Sequence, residues 1–280
     1  MRSGKSKYAI LFLSIACFIN CKEKQTQKSV EAASLRDPDT LVLKRAETAI
    51  DEMSQDSLSY RDQNWRPERG QYYFSESYHF EYYNETISPE EGAAKGEFGF
   101  YVDPESGTIL LEKHIANYAD EMTDYIIIHP DKRYTVGYTD EFGNQKTVRE
   151  SLVDVEGLTE KIKYGTDDFM AFFKIMDETK TFGANKYYPK KLESQGYQRN
   201  YTMTKDTVSL FMAKTDQPTR ALYLVGEVFS ELGMPVRQDY GFVIPEGFLV
   251  TKEHYETVSD KRIGFKLTAI MAAEYHIQLP

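Results

Sequence analysis

The chain has 280 residues, of which 41% are hydrophobic and 28% charged, a balance typical of a folded protein with one large or two small domains. Its formal net charge of -10 at pH 7 repels polyanions at long range, which argues against nucleic acid as a partner. Both cysteines lie within the first 21 residues, so the rest of the chain can form no disulfide, thiolate metal site or cysteine nucleophile.

The beginning of the chain has the pattern of an export signal. Basic residues at positions 2, 5 and 7 precede an apolar run from Tyr8 to Ile19, which is too short to span a bilayer as a permanent helix. The run leads to Cys21 and then to charged residues, and this order resembles a bacterial lipoprotein signal, whose cysteine becomes the acylated first residue. We therefore predict a signal peptide over residues 1–20, lipidation at Cys21 and a membrane anchor.

Cys17 is the alternative acylation site, because the small-residue pattern of Ser14-Ile15-Ala16 stands directly before it. Cys21 is preferred, since Phe18 and Ile19 continue the apolar run up to it and the charged segment begins immediately behind it. From this signal we predict that the protein lies in the cell envelope of a Gram-negative bacterium, as an outer-membrane lipoprotein on either the periplasmic or the surface side.

A polar tether and one helix are predicted to follow the signal. Residues 21–40 contain too few apolar side chains to offset the entropy of ordering them. Apolar residues then recur at helical spacing at Leu43, Ala46, Ile50 and Met53. We expect the folded domain to occupy residues 41–280.

From Gln71 the apolar period changes to two, which predicts a long strand containing Tyr72, Phe74, Tyr78 and Phe80. Short turns rich in Asp, Gly, Pro and Asn separate further strands, and such loops permit only antiparallel pairing. The further predicted strands are 97–102, 108–113, 124–129, 133–139, 196–203, 207–215, 247–257 and 262–272. Two helices are predicted over 158–176 and 221–232, the second followed by the stop signals Gly233 and Pro235.

This order predicts an α+β fold, in which a curved antiparallel sheet of eight to ten strands packs one face on helices. The order resembles that of the LolA/LolB lipoprotein-carrier superfamily and its uncharacterised relatives. The resemblance is carried by the helix before a long strand, the stretch 124–136, Gly196-Tyr197 opening a strand that leads into 207–213, and the closing hairpin. It implies a half-barrel with helices on the concave face.

The resemblance also implies an acyl chain or other apolar ligand on the concave face. The residues expected to face it are Phe98, Phe100, Val208, Leu210, Met212, Phe265 and Leu267. The alternative is that these side chains form a closed core, because apolar residues on a sheet are more often core than cavity lining.

An aromatic cluster surrounds the first long strand, with tyrosines on both of its faces. Such a strand is either buried on both sides or exposes one aromatic face to a partner or a glycan. Tyr73 and Tyr83 are the candidate partner-binding residues.

No motif in the chain defines a reaction. The five histidines lack the short spacing of a zinc site, the acidic residues at turns lack the repeated spacing of a calcium loop, and no nucleophile elbow is present. We predict a non-catalytic, lipid-anchored envelope protein, without a metal or cofactor, that binds an apolar ligand or another envelope protein. The alternative is an accessory subunit of an outer-membrane complex with a filled core and no ligand, and a hydrolase is a distant third.

Overall fold

The computed structural model describes residues 59–86, 95–116, 123–131, 133–151, 158–228 and 243–280. Eleven strands run through these residues. They are β1 (Gln71–Asn84), β2 (Lys95–Asp103), β3 (Thr108–Glu112), β4 (Thr123–Ile128), β5 (Arg133–Thr139), β6 (Gln145–Ser151), β7 (Lys174–Phe182), β8 (Leu192–Asn200), β9 (Thr207–Lys214), β10 (Phe248–Glu256) and β11 (Arg262–Gln278).

All eleven strands belong to one antiparallel sheet with the order β6-β5-β4-β3-β2-β1-β11-β10-β9-β8-β7. Strands that are consecutive in the chain are neighbours, except β6 and β7, and β1 pairs with β11 at the centre. The sheet is open, with β6 and β7 at its two edges.

The helical elements are few and short. They are α1 (Tyr60–Asn64), α2 (Lys113–Ala116), α3 (Leu158–Phe172) and α4 (Thr219–Val228), with a 3-10 turn at Pro67–Arg69. No helix in the described parts of the chain combines the length and apolarity needed to cross a bilayer.

The predicted fold class, an α+β half-barrel with helices on the concave face, is wrong. The protein is mostly sheet, and its helices are minor elements. The physical reason is that strands themselves supply most of the main buried cluster, while α3 and α4 add only a few side chains such as Phe169 and Leu222. Curvature of the sheet helps its strands to pack on one another. The N–H of Ile270 on β11 donates to the carbonyl of Gly183, the residue after β7, at 3.1 Å.

The strands predicted from apolar alternation are confirmed, with ends that differ by a few residues. The helix predicted over 158–176 ends at Phe172, and Ile175 and Met176 belong instead to β7. Strands β6 and β7 were not predicted at all. The signal peptide, the tether, the helix around Leu43 to Met53 and residues 229–232 of the last predicted helix lie outside the described residues.

The sheet is buried on both faces, but in different places. Ile109 and Leu111 of β3 belong to the main cluster, whereas Leu110 between them belongs to a second cluster. Because adjacent strand residues point to opposite faces, the two clusters lie on opposite sides of the sheet.

The buried side of β1 changes along its length. Tyr72 and Phe74 belong to the second cluster, and Tyr78 and Phe80 belong to the main cluster. The pairing of β1 with β11 is irregular between Phe74 and Glu76, at the point where this change occurs. Such an irregularity increases the local twist and turns side chains towards a different neighbour.

The segment before β1 is fastened to the β2–β3 hairpin by a buried ion pair. Nη2 of Arg61 in α1 lies 2.8 Å from Oδ2 of Asp103, whose side chain is 1% exposed. Nε of Arg61 also lies 2.9 Å from the carboxylate of Glu105. The cap of α1 is complete, since Ser59 and Asp62 form a capping box. This segment covers the second cluster through Trp65, whose ring meets that of Tyr72 edge to face.

A second carboxylate joins the loop after β7 to the centre of the sheet. Glu76 is 4% exposed, and its Oε1 accepts a hydrogen bond of 2.9 Å from the hydroxyl of Tyr188. The ammonium group of Lys190 forms an ion pair with the same carboxylate. The loop between β7 and β8 is therefore held against β1.

Candidate functional site

The seven apolar residues predicted to face a ligand all belong to the main cluster. None of these side chains is more than 4% exposed. Their rings and chains pack on one another: Phe98 is stacked on Phe80 at a centroid distance of 4.8 Å and meets Phe265 edge to face at 5.8 Å. The structure thus brings the predicted residues together, as a packed core in the described part of the chain.

The two candidate partner-binding tyrosines have different environments. Tyr73 is 7% exposed and meets the ring of Tyr60 edge to face at 5.5 Å, so α1 covers it. Tyr83, near the end of β1, is partly exposed on the face opposite the main cluster. Of this predicted pair, Tyr83 is the residue that an external partner can reach.

Tyr83 lines an open groove of about 660 Å³ on that face. The groove crosses four neighbouring strands, β2, β1, β11 and β10, and its walls carry both signs of charge. Its charged and titratable lining residues are Lys95, Lys252, Arg262, Lys266, Glu81, Glu85, Glu97 and His254. In a chain with a net charge of -10, this groove is a local concentration of cations.

The floor of the groove contains a contact that spans three strands. The hydroxyl of Tyr83 on β1 lies 2.7 Å from Nδ1 of His254 on β10, although β11 runs between them. Gly264 is the β11 residue at this level, paired with both Tyr83 and His254. A Cβ at position 264 would lie 2.7 Å from the Tyr83 hydroxyl, so glycine leaves the space through which the phenol reaches His254.

Electrostatics favour the neutral phenol at this position. Burial, reinforced by the negative charge of Glu253, raises the pKa of Tyr83 to about 12. The hydroxyl is therefore protonated at neutral pH and can act as a hydrogen-bond donor. On the other side of the imidazole, Nε2 lies 3.8 Å from Oε2 of Glu256.

The charges in the groove follow a cross-strand ladder. Glu97 is paired with Glu81, Glu81 with Lys266, and Lys266 with Lys252. Directly opposed like charges on neighbouring strands are unfavourable, and this ladder contains an acidic pair and a basic pair side by side.

The basic pair lies beside a third lysine. The ammonium group of Lys180 on β7 lies 4.6 Å from the centroid of the Phe211 ring, and that of Lys252 lies 5.8 Å from the same centroid. Burial, together with the charges of Lys180 and Lys266, lowers the pKa of Lys252, against the opposing effect of Glu178. Within the described ranges, no carboxylate oxygen lies within 4.0 Å of the nitrogens of Lys252 or Lys266, whereas Lys180 pairs with Glu178 at 2.7 Å.

Histidines and acidic turns have local partners. Nε2 of His79 lies 2.9 Å from Oγ of Ser77, and Nε2 of His129 lies 3.0 Å from Oγ1 of Thr135. Asp140 accepts hydrogen bonds from the backbone of its own turn and pairs with Lys146 at 2.7 Å. Among the residues with described positions, no group of three His, Cys, Asp or Glu side chains has the geometry to hold a metal ion.

The sequence did not identify Lys252, His254 and Lys266 as parts of one site. They are neighbours of Tyr83 only because β11 and β10 follow β1 in the sheet, an order that no local pattern encodes. The one available signal was the alternation that placed Tyr83 on the polar side of its strand.

No family model matches the chain, and no curated protein matches it either. The resemblance to lipoprotein carriers therefore stays a prediction from the sequence.

Proposed function

We propose that this protein is a non-catalytic, lipid-anchored envelope protein that binds its partner at the groove around Tyr83 and does not enclose an apolar ligand. The anchor is the acylated Cys21, which keeps the domain on the outer membrane through the tether of residues 21–40. The proposal includes no nucleic acid, metal or cofactor.

One observation favours a binding site on the protein surface over an apolar ligand site in its interior. The seven side chains expected to line an apolar ligand site, Phe98 and Phe265 among them, are no more than 4% exposed and contact one another. A ligand of drug or acyl-chain size needs a cavity of roughly 300–1,000 Å³. Opening one here would separate stacked rings such as those of Phe80 and Phe98.

The groove supports the other half of the proposal. It is open, it has about 660 Å³ of space, and it combines charged side chains with the polar edge of Tyr83. Binding sites differ from ordinary surface in having a concave shape with a few converging polar groups. The groove has this concave shape, and Tyr83, the predicted partner residue, is one of its polar groups.

Two measurements on the mature, acylated protein in mild detergent test this function. The first is mass spectrometry of the purified protein for bound lipid, together with displacement of a fluorescent fatty acid. We expect no stoichiometric lipid and no saturable displacement. A saturable fatty-acid site that is lost in Phe98→Ala would instead establish the apolar-ligand carrier.

The second measurement is capture of envelope components by the parent protein and by Tyr83→Ser. We expect the substitution to reduce capture without changing the thermal transition. Tyr187→Ser is the matched control, because Tyr187 is 83% exposed and lies outside the groove. Unchanged capture by Tyr83→Ser would contradict a role for the groove, and an unacylated Cys21 in the mature protein would contradict the anchor.

A further inference from the structure

The groove concentrates positive charge at one end. Lys252 and Lys266 are directly opposed on β10 and β11, so both side chains project from the same face at neighbouring positions. Lys180 approaches the same place from β7, since its ammonium group and that of Lys252 both lie against the Phe211 ring. Two cations therefore lie beside one aromatic ring, and Lys266 stands directly opposite one of them on the next strand.

The direct opposition of Lys252 and Lys266 costs free energy. Opposed like charges destabilise a strand pair, and neither Lys252 nor Lys266 has a carboxylate within 4.0 Å in the described part of the chain. The depressed pKa of Lys252 is the expected electrostatic result of that crowding. An anion placed between the two ammonium groups would relieve the repulsion.

The number of charges selects the chemical class of the anion. A carboxylate brings one negative charge, whereas a phosphomonoester brings about 1.5–2 charges and three acceptor oxygens. Two lysines at directly opposed strand positions are matched by the phosphomonoester, and lysine binds phosphate as a point charge.

The opposite end of the groove limits what the phosphate is attached to. Glu81 stands opposite Lys266 and Glu97 lies one strand farther along the same ladder, so strands about 4.8 Å apart place the two carboxylates roughly 5–15 Å from the lysines. An extended polyanion would meet these carboxylates, but hydroxyl groups would donate hydrogen bonds to them. The charge of the ligand must therefore lie at one end and its hydroxyls at the other.

We propose that Lys252 and Lys266 bind the phosphate of a hydroxyl-rich phosphomonoester, and that the carboxylates of Glu81 and Glu97 accept hydrogen bonds from its hydroxyl groups. The space of about 660 Å³ is sufficient for a phosphorylated sugar. The same chemistry is present in a soluble sugar phosphate and in a lipid headgroup that ends in a monoester. This inference rests on the proposed function, because it names the ligand class of the same groove.

The test is calorimetric titration of the mature, acylated protein, reconstituted in phosphatidylcholine vesicles, with glucose 6-phosphate and with glucose. We expect glucose 6-phosphate to bind and glucose not to bind. The double variant Lys252→Gln/Lys266→Gln should weaken binding at least tenfold, and Lys266→Arg should retain it. Lys214→Gln is the matched control, because Lys214 is an exposed strand lysine outside the groove.

Adding phosphatidic acid to the same vesicles separates the two sources of phosphate. Weaker binding of glucose 6-phosphate in its presence supports the site and assigns the headgroup as its occupant, and unchanged binding supports the site with a soluble ligand. If the double variant is unstable, Lys266→Gln alone at its exposed position tests the same charge. Absence of glucose 6-phosphate binding to the parent, or equal binding to the double variant, overturns the proposal.

These failures are distinguishable from failure of the proposed function. A protein that captures envelope components through Tyr83 but does not bind glucose 6-phosphate has a surface function with another ligand. A saturable fatty-acid site would contradict both the proposed surface function and the phosphomonoester site that rests on it.

Discussion

The hydroxyl of Tyr83 lies 2.7 Å from Nδ1 of His254, across the intervening strand β11. Because the pKa of Tyr83 is raised to about 12, the phenol keeps its proton and is the expected donor to a neutral imidazole. The ring proton of neutral His254 is then on Nε2. Tyr83→Phe should shift the 15N resonances of His254 towards a mixture of tautomers, and unchanged resonances would exclude this assignment.

Gly264→Ala should destabilise the protein. The new methyl group would meet the carbonyl oxygen of Glu253 and the hydroxyl of Tyr83, the latter at 2.7 Å. Insertion of one methyl group into such a site costs about 1–3 kcal/mol, measurable by urea unfolding. Ser209→Ala, at the β9 position paired with His254, adds no volume and should have little effect. Equal stability of Gly264→Ala and the parent would mean that Tyr83 does not lie over this glycine.

Phe98→Ala should lower the free energy of unfolding by about 3–5 kcal/mol. Phe98 is 4% exposed and contacts the rings of both Phe80 and Phe265, so its removal leaves a cavity in the main cluster. Phe142→Ala is the control, because Phe142 lies in a turn and is 80% exposed. A loss as small as that of the control would indicate that the space around Phe98 is already open.

Arg61→Met should cost about 3 kcal/mol, because it leaves the buried carboxylate of Asp103 without its charged partner. The Arg61 side chain is only 19% exposed, so solvent screens this pair weakly. Arg133→Gln breaks the more exposed pair with Asp131 and should cause no measurable change in urea unfolding. Similar effects of the two substitutions would contradict the distinction between them.

The carboxylate of Asp206 should contribute to stability only above acidic pH. The hydroxyl of Tyr255 donates to Oδ2 at 2.6 Å and is the largest cause that lowers the pKa of Asp206 below its ordinary value. The folded state thus favours the ionised form. Its contribution is complete above the unfolded pKa of about 3.9 and is lost as the pH falls through the lower folded value.

Tyr255→Phe should raise the pKa of Asp206, measured by carboxyl 13C NMR, and move acid unfolding to higher pH. Tyr187→Phe serves as the comparison, since that exposed hydroxyl has no contact with Asp206. An Asp206 titration that is the same in both variants would remove the hydrogen bond as the cause.

The sequence predicted nine of the eleven strands, and the two that it missed are the edges of the sheet. β6 and β7 each have a neighbour on one side only, so they need no apolar alternation to be stable. In β7 most side chains are exposed, and Ile175 is 71% exposed, which removed the periodic signal and favoured a helix. The central strands were predictable because each buries a face, as Tyr78 and Phe80 do on β1.

The groove could not be predicted in the same way. Tyr83 was identified from its own strand, whereas Lys252, His254 and Lys266 became its neighbours through the pairing of β1 with β11. The apolar residues of the interior were predicted, but helices were expected to cover one face of the sheet. In the structure the strands themselves supply most of the main cluster.

The pairing of β1 with β11 also fixes the order in which the protein can fold. All other pairings join strands that are consecutive in the chain, so the segments β1–β6 and β7–β11 are each a series of local hairpins. The seam between them is different: the hydroxyl of Thr268 binds the carbonyl of His79, 189 residues earlier. Contacts of such long range form late. A chain that emerges from its N-terminus therefore has two unfinished half-sheets, each with an open edge at the future centre, until β11 has joined them.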